Sequence, residues 1–305
     1  MAIVGVPALI SPVPSDDTSL PFPVRDALVR DDNGGVRYLF DLAFPWCYPG
    51  GPPSGRPAAA DPGVAAVITD MAERAGAGGV NSPGTNARLT YAGGGFDFSG
   101  VTVRQNIFTG PAAALADIWS AAPAGAAFPG ASQRFLAVQY CKLPLDANFN
   151  TGTISPIFSA SFGSAGMNSN PELVLIGLVA TRRIEARRQT AVNAAVNLAV
   201  SLDVADLGTL AQIAYWRNAD GVGLTVRTAA GRKTSTGAVG ADNSANFSAR
   251  VPTFGVTEMF VSFSNQYQGY RCYRGFIENL ARSGRSPIDV LEADWDRVIK
   301  RNVFS

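Results

Sequence analysis

Residues 209–230 read TLAQIAYWRNADGVGLTVRTAA, two β-rich runs separated by Ala219-Asp220-Gly221. Glycine supplies the positive φ that a tight reversal needs, so this stretch predicts a hairpin. Tyr215 and Trp216 are neighbours in the first run. Successive strand side chains point to opposite faces, so one of the two must face inward. Working outward, similar short runs recur at 36–44, 87–100, 133–143, 154–162, 172–181, 184–190, 195–202, 245–251, 258–265 and 270–280, bounded by Gly, Pro, Asn and Asp. Many short strands with frequent turn signals predict an all-β, two-sheet antiparallel sandwich.

Two segments break the strand pattern as helices. Thr109-Gly-Pro111 leads into AAALADIWSAA, with proline near the first turn and alanine as the best helix former. At 286–301, Ser286 is placed to cap, Pro287 to occupy the first helical position and Asp289 to complete an approximate capping box. Ile288, Leu291, Trp295, Val298 and Ile299 then trace one apolar stripe that must cover something apolar. Residues 1–34 carry Pro7, Pro12, Pro14, Pro21 and Pro23 and read as an extended arm. Its Val4, Val6, Leu9, Ile10, Leu20 and Phe22 are too many apolar residues for a solvated linker, so it docks either on another protein or on its own domain. Residues 35–305 show no sharp composition break and read as one domain.

Composition then excludes chemistry. The 305 residues include no histidine, which removes Ser-His-Asp and Cys-His catalysis and histidine-ligated zinc. Cys47, Cys141 and Cys272 form no CxxC motif, and an odd number cannot make a complete disulfide framework, so buried free thiols are expected. With 25 basic and 24 acidic residues the chain lacks the field that draws proteins onto nucleic acid. The N-terminal apolar run is short and broken by proline, which predicts neither a signal peptide nor a membrane span and places synthesis in a cytoplasm. Glycine-rich GAGGV and AGGGF lack the order of a nucleotide-binding loop, and no DxDxDG calcium spacing occurs, so no cofactor and no metal are expected.

Four stretches in the same order resemble one family: LFDLAFPWCYPGGPPSGRP (39–57), TYAGGGFDFSG (90–100), QIAYWRNADGVGLTVRTAAG (212–231) and YRCYRGFIENLARSGRSPIDVLEADWDRV (270–298). They are similar to the concanavalin A-like (laminin G-like) jelly-roll modules of structural proteins in tailed bacteriophages, prophages and gene-transfer particles. The resemblance implies two curved antiparallel sheets face to face, a fold used widely to hold carbohydrate at loop edges or on a concave sheet. It also implies a virion location and a homo-oligomer in the particle. Fold alone does not fix a ligand.

Candidate sites follow from residue type. Trp46, Tyr48, Tyr215, Trp216, Tyr267 and Tyr270 offer flat faces on which sugar rings can stack; most aromatic residues of alternating strands are core, whereas Trp46 and Tyr48 open a Gly/Pro-rich loop and are the preferred candidates. Asn168, Asn170, Asp242 and Asn243 lie in polar loops that could offer amide and carboxylate groups to sugar hydroxyls, or be ordinary turns. Glu292, Asp294 and Asp296 read as a solvated helix face, because i and i+2 point apart on a helix. Asp41 and Asp97 read as structural hydrogen-bonding groups, and Arg182, Arg183, Arg187 and Arg188 as a solvated edge strand. The sequence thus predicts a non-enzymatic virion protein that anchors to other virion proteins through its arm and binds host surface polysaccharide. The alternative is a purely structural head or tail protein, and a depolymerase with two carboxylates is disfavoured.

Overall fold

Leu210–Arg217 and Val222–Thr228 pair antiparallel with Arg217 facing Val222, so the expected hairpin forms. The Asn218 side chain caps its turn by accepting from the N–H groups of Asp220 and Gly221. The computed structural model describes residues 26–48, 56–57, 66–80, 87–101, 108–119, 133–145, 154–161, 172–179, 182–189, 197–243, 250–255 and 267–305. Its strands are β1 (Val36–Asp41), β2 (Arg56–Pro57), β3 (Ala66–Ile68), β4 (Gly78–Val80), β5 (Ala87–Ala92), β6 (Gly95–Val101), β7 (Phe108–Thr109), β8 (Phe135–Lys142) and β9 (Ser155–Ser161). They continue with β10 (Glu172–Val179), β11 (Arg183–Gln189), β12 (Asn197–Asp203), β13 (Leu210–Arg217), β14 (Val222–Thr228), β15 (Gly231–Gly237), β16 (Pro252–Phe254) and β17 (Arg271–Asn279). The helices are α1 (Ala113–Trp119), α2 (Leu280–Ser283) and α3 (Pro287–Arg301).

These strands make two antiparallel sheets. One has nine strands in the order β15-β14-β13-β8-β17-β6-β5-β2, with β1 also paired to β17; the other has eight, β12-β11-β10-β9-β16-β7-β4-β3. Strand alternation sorts the side chains. From β13, Ala211, Ile213 and Tyr215 enter the core between the sheets, while Ala214 and Trp216 enter a second apolar cluster on the opposite face. Both aromatic neighbours are therefore buried, one on each face. The inter-sheet core is rich in rings: Phe40 meets Phe108 and Phe254 edge-on, each at 4.7 Å between centroids.

The second cluster exists because α3 covers the outer face of the nine-stranded sheet. Val290, Leu291, Trp295 and Val298 pack with Leu136, Val138, Tyr140, Trp216 and Phe276. Ser286 caps the helix by accepting from Asp289 N–H, and Asn302 closes it in the left-handed region. Ile299, expected in the apolar stripe, is exposed, and Val290 takes the buried place instead. Leu28 and Val29, in a short 3-10 turn, join the same cluster, so residues 26–34 pack on the domain although the sequence put them in the arm. Residues 1–25, with Val4, Val6, Leu9, Ile10, Leu20 and Phe22, lie outside the described residues.

Charge as well as apolar area holds α3 down. Arg274 on β17 is 1% exposed and bonds Asp26 (2.9 Å), Asp41 (3.1 Å) and Asp294 (2.8 Å). Arg297 reaches Asp294 and Asp26, and Arg301 reaches Asp41. The Tyr140 hydroxyl donates to Asp294, and the Gln212 amide donates to the Tyr140 oxygen and to the Leu291 carbonyl. Asp294 is thus fully buried rather than solvated: on this helix it points at the sheet, where an arginine neutralises it. Burial acts to lower the pKa of Arg274, but Asp294, Asp26 and Asp41 outweigh it and hold the guanidinium's pKa above its usual range.

A second expectation is corrected at β11, which lies between β10 and β12 and is not an edge. Arg183 and Arg187 are partly exposed, Arg182 occupies the preceding turn, and Arg188 is buried. Among the described strands, the two sheet orders end at β15 and β2 and at β12 and β3, and β1 pairs with β17 alone.

Candidate functional site

The turn that follows β1 brings aromatic residues to the surface. Asp41 ends the strand, and the next residues wind tightly: Phe44 N–H donates to the Asp41 carbonyl (3.0 Å), Cys47 N–H to that of Phe44 (2.9 Å), and Tyr48 N–H to the same carbonyl (3.1 Å). The turn is tied at both sides. Leu42 N–H donates to the Tyr273 carbonyl on β17, and Thr69 N–H donates to the Cys47 carbonyl. The Cys47 thiol sits beneath, accepting from Asp41 N–H and donating to the Thr69 carbonyl, each at 3.2 Å. Burial pushes this thiol up to about 12.

Within that frame the two expected aromatic residues separate. Tyr48 is buried against Phe96 (5.0 Å between ring centroids, edge-on) and Tyr91 (5.5 Å), so it is core and not a ligand surface. Trp46 remains 38% exposed, as the loop position suggested. Phe44, two residues earlier in the same turn, is 41% exposed, and Val67 on β3 is exposed too. The sequence reading missed Phe44; its signal was the same proline-containing turn, two residues before Trp46. Across from Ala43 lies the Gly93-Gly94 turn, both residues at positive φ, and a Cβ on Gly94 would meet the Val303 carbonyl at 2.6 Å and the Ala43 Cβ at 3.1 Å. Glycine is required there for conformation and for space.

Of the polar candidates, only Asp242 and Asn243 lie among the described residues, and both are engaged elsewhere. Asn168 and Asn170 lie outside the described residues. Asn243 is buried: its backbone N–H donates to Gln133 Oε1 (2.8 Å), its carbonyl accepts from Gln133 Nε2 (2.6 Å), and its amide donates to the Gln189 carbonyl (3.0 Å). Asp242 is exposed but pairs with Arg217 at 2.6 Å. Arg217 from the nine-stranded sheet and Arg188 from the eight-stranded sheet both donate to carbonyls of 239–241. The segment is a cross-sheet clamp, because a buried guanidinium needs several acceptors and here the backbone provides them. Asp41 and Asp97 are structural as expected, paired with Arg274 and Arg271. Tyr267 and Tyr270 are buried, as expected of core aromatics.

One concave feature lies elsewhere, a cavity of about 150 Å³ in the seam between β12 and the β14–β15 turn. Leu202, Val204 and Val226 line it with Asp206, Arg232 and Lys233. Its charges are engaged: Arg232 pairs with Glu292, Lys233 donates to the Asp203 carbonyl, and Asp206 accepts from Thr228. It lies five strand positions from β1, about 24 Å at normal strand spacing. Among the described residues no group of three or more acidic, cysteine or histidine side chains is placed to hold a metal. No helix among them is long and apolar enough to cross a membrane.

No family model and no curated protein matches the chain. Solved structures with a similar fold include a Trypanosoma rangeli sialidase in complex with a difluorinated nononic acid (13% identity, 80% of this chain and 30% of that one, TM-score 0.45). Another is the Ruminococcus gnavus IT-sialidase CBM40 bound to α2,3-sialyllactose (14% identity, 54% and 87%, TM-score 0.36). A third is tailspike protein 2 of the Escherichia coli O157:H7 bacteriophage CAB120 (11% identity, 48% and 19%, TM-score 0.26). The chain spans about a third of the length of the sialidases it matches. At these identities the likeness concerns the β-sandwich alone. The expectation of a non-enzymatic chain is corrected here, because the similar structures include enzymes, the sialidases and an α-L-arabinofuranosidase.

Proposed function

We propose that this chain is a β-sandwich module of a phage or phage-like virion that attaches to host surface polysaccharide through Trp46 and Phe44. The observation that carries the reading is the exposure of two aromatic residues, two positions apart in sequence, on a turn whose backbone is tied to β17 and to Thr69. Aromatic faces hold the apolar side of a sugar ring, and a turn already fixed loses little entropy on binding. The Pro-rich segment 1–25, with Val4, Val6, Leu9, Ile10, Leu20 and Phe22, would join other virion proteins. Repetition of the module in a homo-oligomer would turn weak sites into firm attachment.

The test is binding of the labelled oligomer to host cells with and without their polysaccharide. Trp46→Ala is expected to weaken binding about 2- to 10-fold per site. Its thermal midpoint should stay near that of the parent chain, since exposed positions contribute little to stability. Unchanged binding by Trp46→Ala and Phe44→Ala would remove the turn from the contact. Absence of binding by the unaltered oligomer favours the second reading, assembly without glycan, which the exposed Val67 and Leu145 also suit. The length of the recovered polysaccharide shows in the same experiment whether it is cleaved.

A further inference from the structure

Cys141 and Cys272 are 131 positions apart in sequence (272 minus 141) and stand directly opposite one another on antiparallel neighbours β8 and β17. Both are buried in the inter-sheet core. Residues so paired share a face of the sheet, with Cα atoms about 4.5–5.5 Å apart. A disulfide spans Cα separations of about 4.4–6.8 Å and Cβ separations of about 3.5–4.5 Å, so the backbone already satisfies the first condition and the second needs only a small approach. The ladder is irregular beside the pair, with a register shift between Cys272 and Arg274. The Gln139 amide donates to Cys272 Sγ at 3.2 Å and to the Tyr270 hydroxyl at 2.6 Å, fixing the polar neighbours of the pair. Cys47 is engaged elsewhere, with Asp41 and Thr69.

We infer that Cys141 and Cys272 are a site of covalent cross-linking, closing a β8–β17 disulfide when the chain folds in the presence of a small-molecule disulfide such as oxidised glutathione. One protein thiolate attacks a glutathione sulfur, expelling one glutathione thiolate and leaving a mixed disulfide. The second attacks the protein sulfur of that bond and expels the other glutathione. The protein loses two electrons and two protons, which the two released glutathione molecules take up. In the folded sheet burial pushes Cys272 up to about 12 and holds Cys141 well above its usual value, so few thiolates form and the finished core reacts slowly. The exchange therefore belongs to the folding stage, before β17 is covered.

The experiment refolds the unaltered chain from urea in a glutathione redox buffer and, in parallel, in reductant. Free thiols are then alkylated under denaturing conditions, the protein is digested, and the peptides are weighed. The expected result is a linked pair of peptides carrying Cys141 and Cys272, with Cys47 alkylated, and a thermal midpoint about 5 °C above the reduced protein. Alkylation of all three cysteines after oxidative refolding overturns the inference. So does a bond that includes Cys47, or glutathione retained on either member of the pair. Chain produced in an oxidising cytoplasm and mapped without unfolding supplies the same readout where refolding yields aggregate.

Discussion

Asp26 meets the guanidinium of Arg274 at 2.9 Å and that of Arg297 at 3.3 Å. Burial pushes its carboxyl up, but Arg274 and the Leu28 N–H outweigh that and hold it below the usual carboxylate range. The folded value thus lies below the unfolded one. The stability it contributes is complete above the unfolded value and is lost as pH falls through the folded value. Urea midpoints taken from pH 7 down to about 3 should decline, and Asp26→Asn should flatten part of that decline. This chemistry was only partly legible in the sequence. Asp41 and Asp97 could be read as structural because each stands among apolar neighbours, yet nothing local marks Arg274 as the partner of residues 20, 233 and 248 positions distant in sequence. Asp294 was misread for a related reason, since helical periodicity sorts faces by hydropathy and a buried acid counts as polar.

At the scale of elements, the β13–β14 hairpin shows local chemistry and packing in agreement. Gly223 faces Trp216 across the ladder, and a Cβ on Gly223 would meet the indole Cζ2 at 2.2 Å. Gly223→Ala is therefore expected to destabilise the protein by about 1–3 kcal/mol, as overpacking does. In the Trp216→Leu background the same change should cost measurably less, which a double-mutant cycle by urea denaturation reads directly. The hairpin and α3 were legible because turn residues and caps act over a few positions. β15, with the sequence GRKTSTG, was not read as a strand, since an exposed edge has no buried face and shows no alternation of apolar residues. Its structure comes from pairing with β14, and only the parent strand's location reveals it. The aromatic turn was half legible: proline-rich flanks mark a surface loop, but whether Trp46 or Tyr48 faces outward depends on Tyr91 and Phe96 arriving from another strand pair.

For the whole molecule, period-two hydrophobicity was enough to give two sheets, whereas their strand order was hidden. β17, near the end of the described residues, pairs both with β1 near their start and with β8 in their middle. Such order follows from the joint packing of all faces and not from any single stretch. It also raises the mean sequence separation of contacts, which slows folding. Stopped-flow refolding monitored by tryptophan fluorescence should therefore extend over about milliseconds to seconds or longer.

The attachment of Asp26 to both β17 and α3 also defines a load path. Tension on the chain preceding Asp26 meets two ion pairs before it reaches the β1 ladder, and those pairs lead to a strand flanked on both sides and to a helix lying across the sheet. Force is thereby divided between two layers of the molecule instead of being delivered to the end of one strand. A pull on the leading segment would meet resistance from the charged interface first, and that resistance would weaken in acid while the backbone pairing of β1 remained as it was.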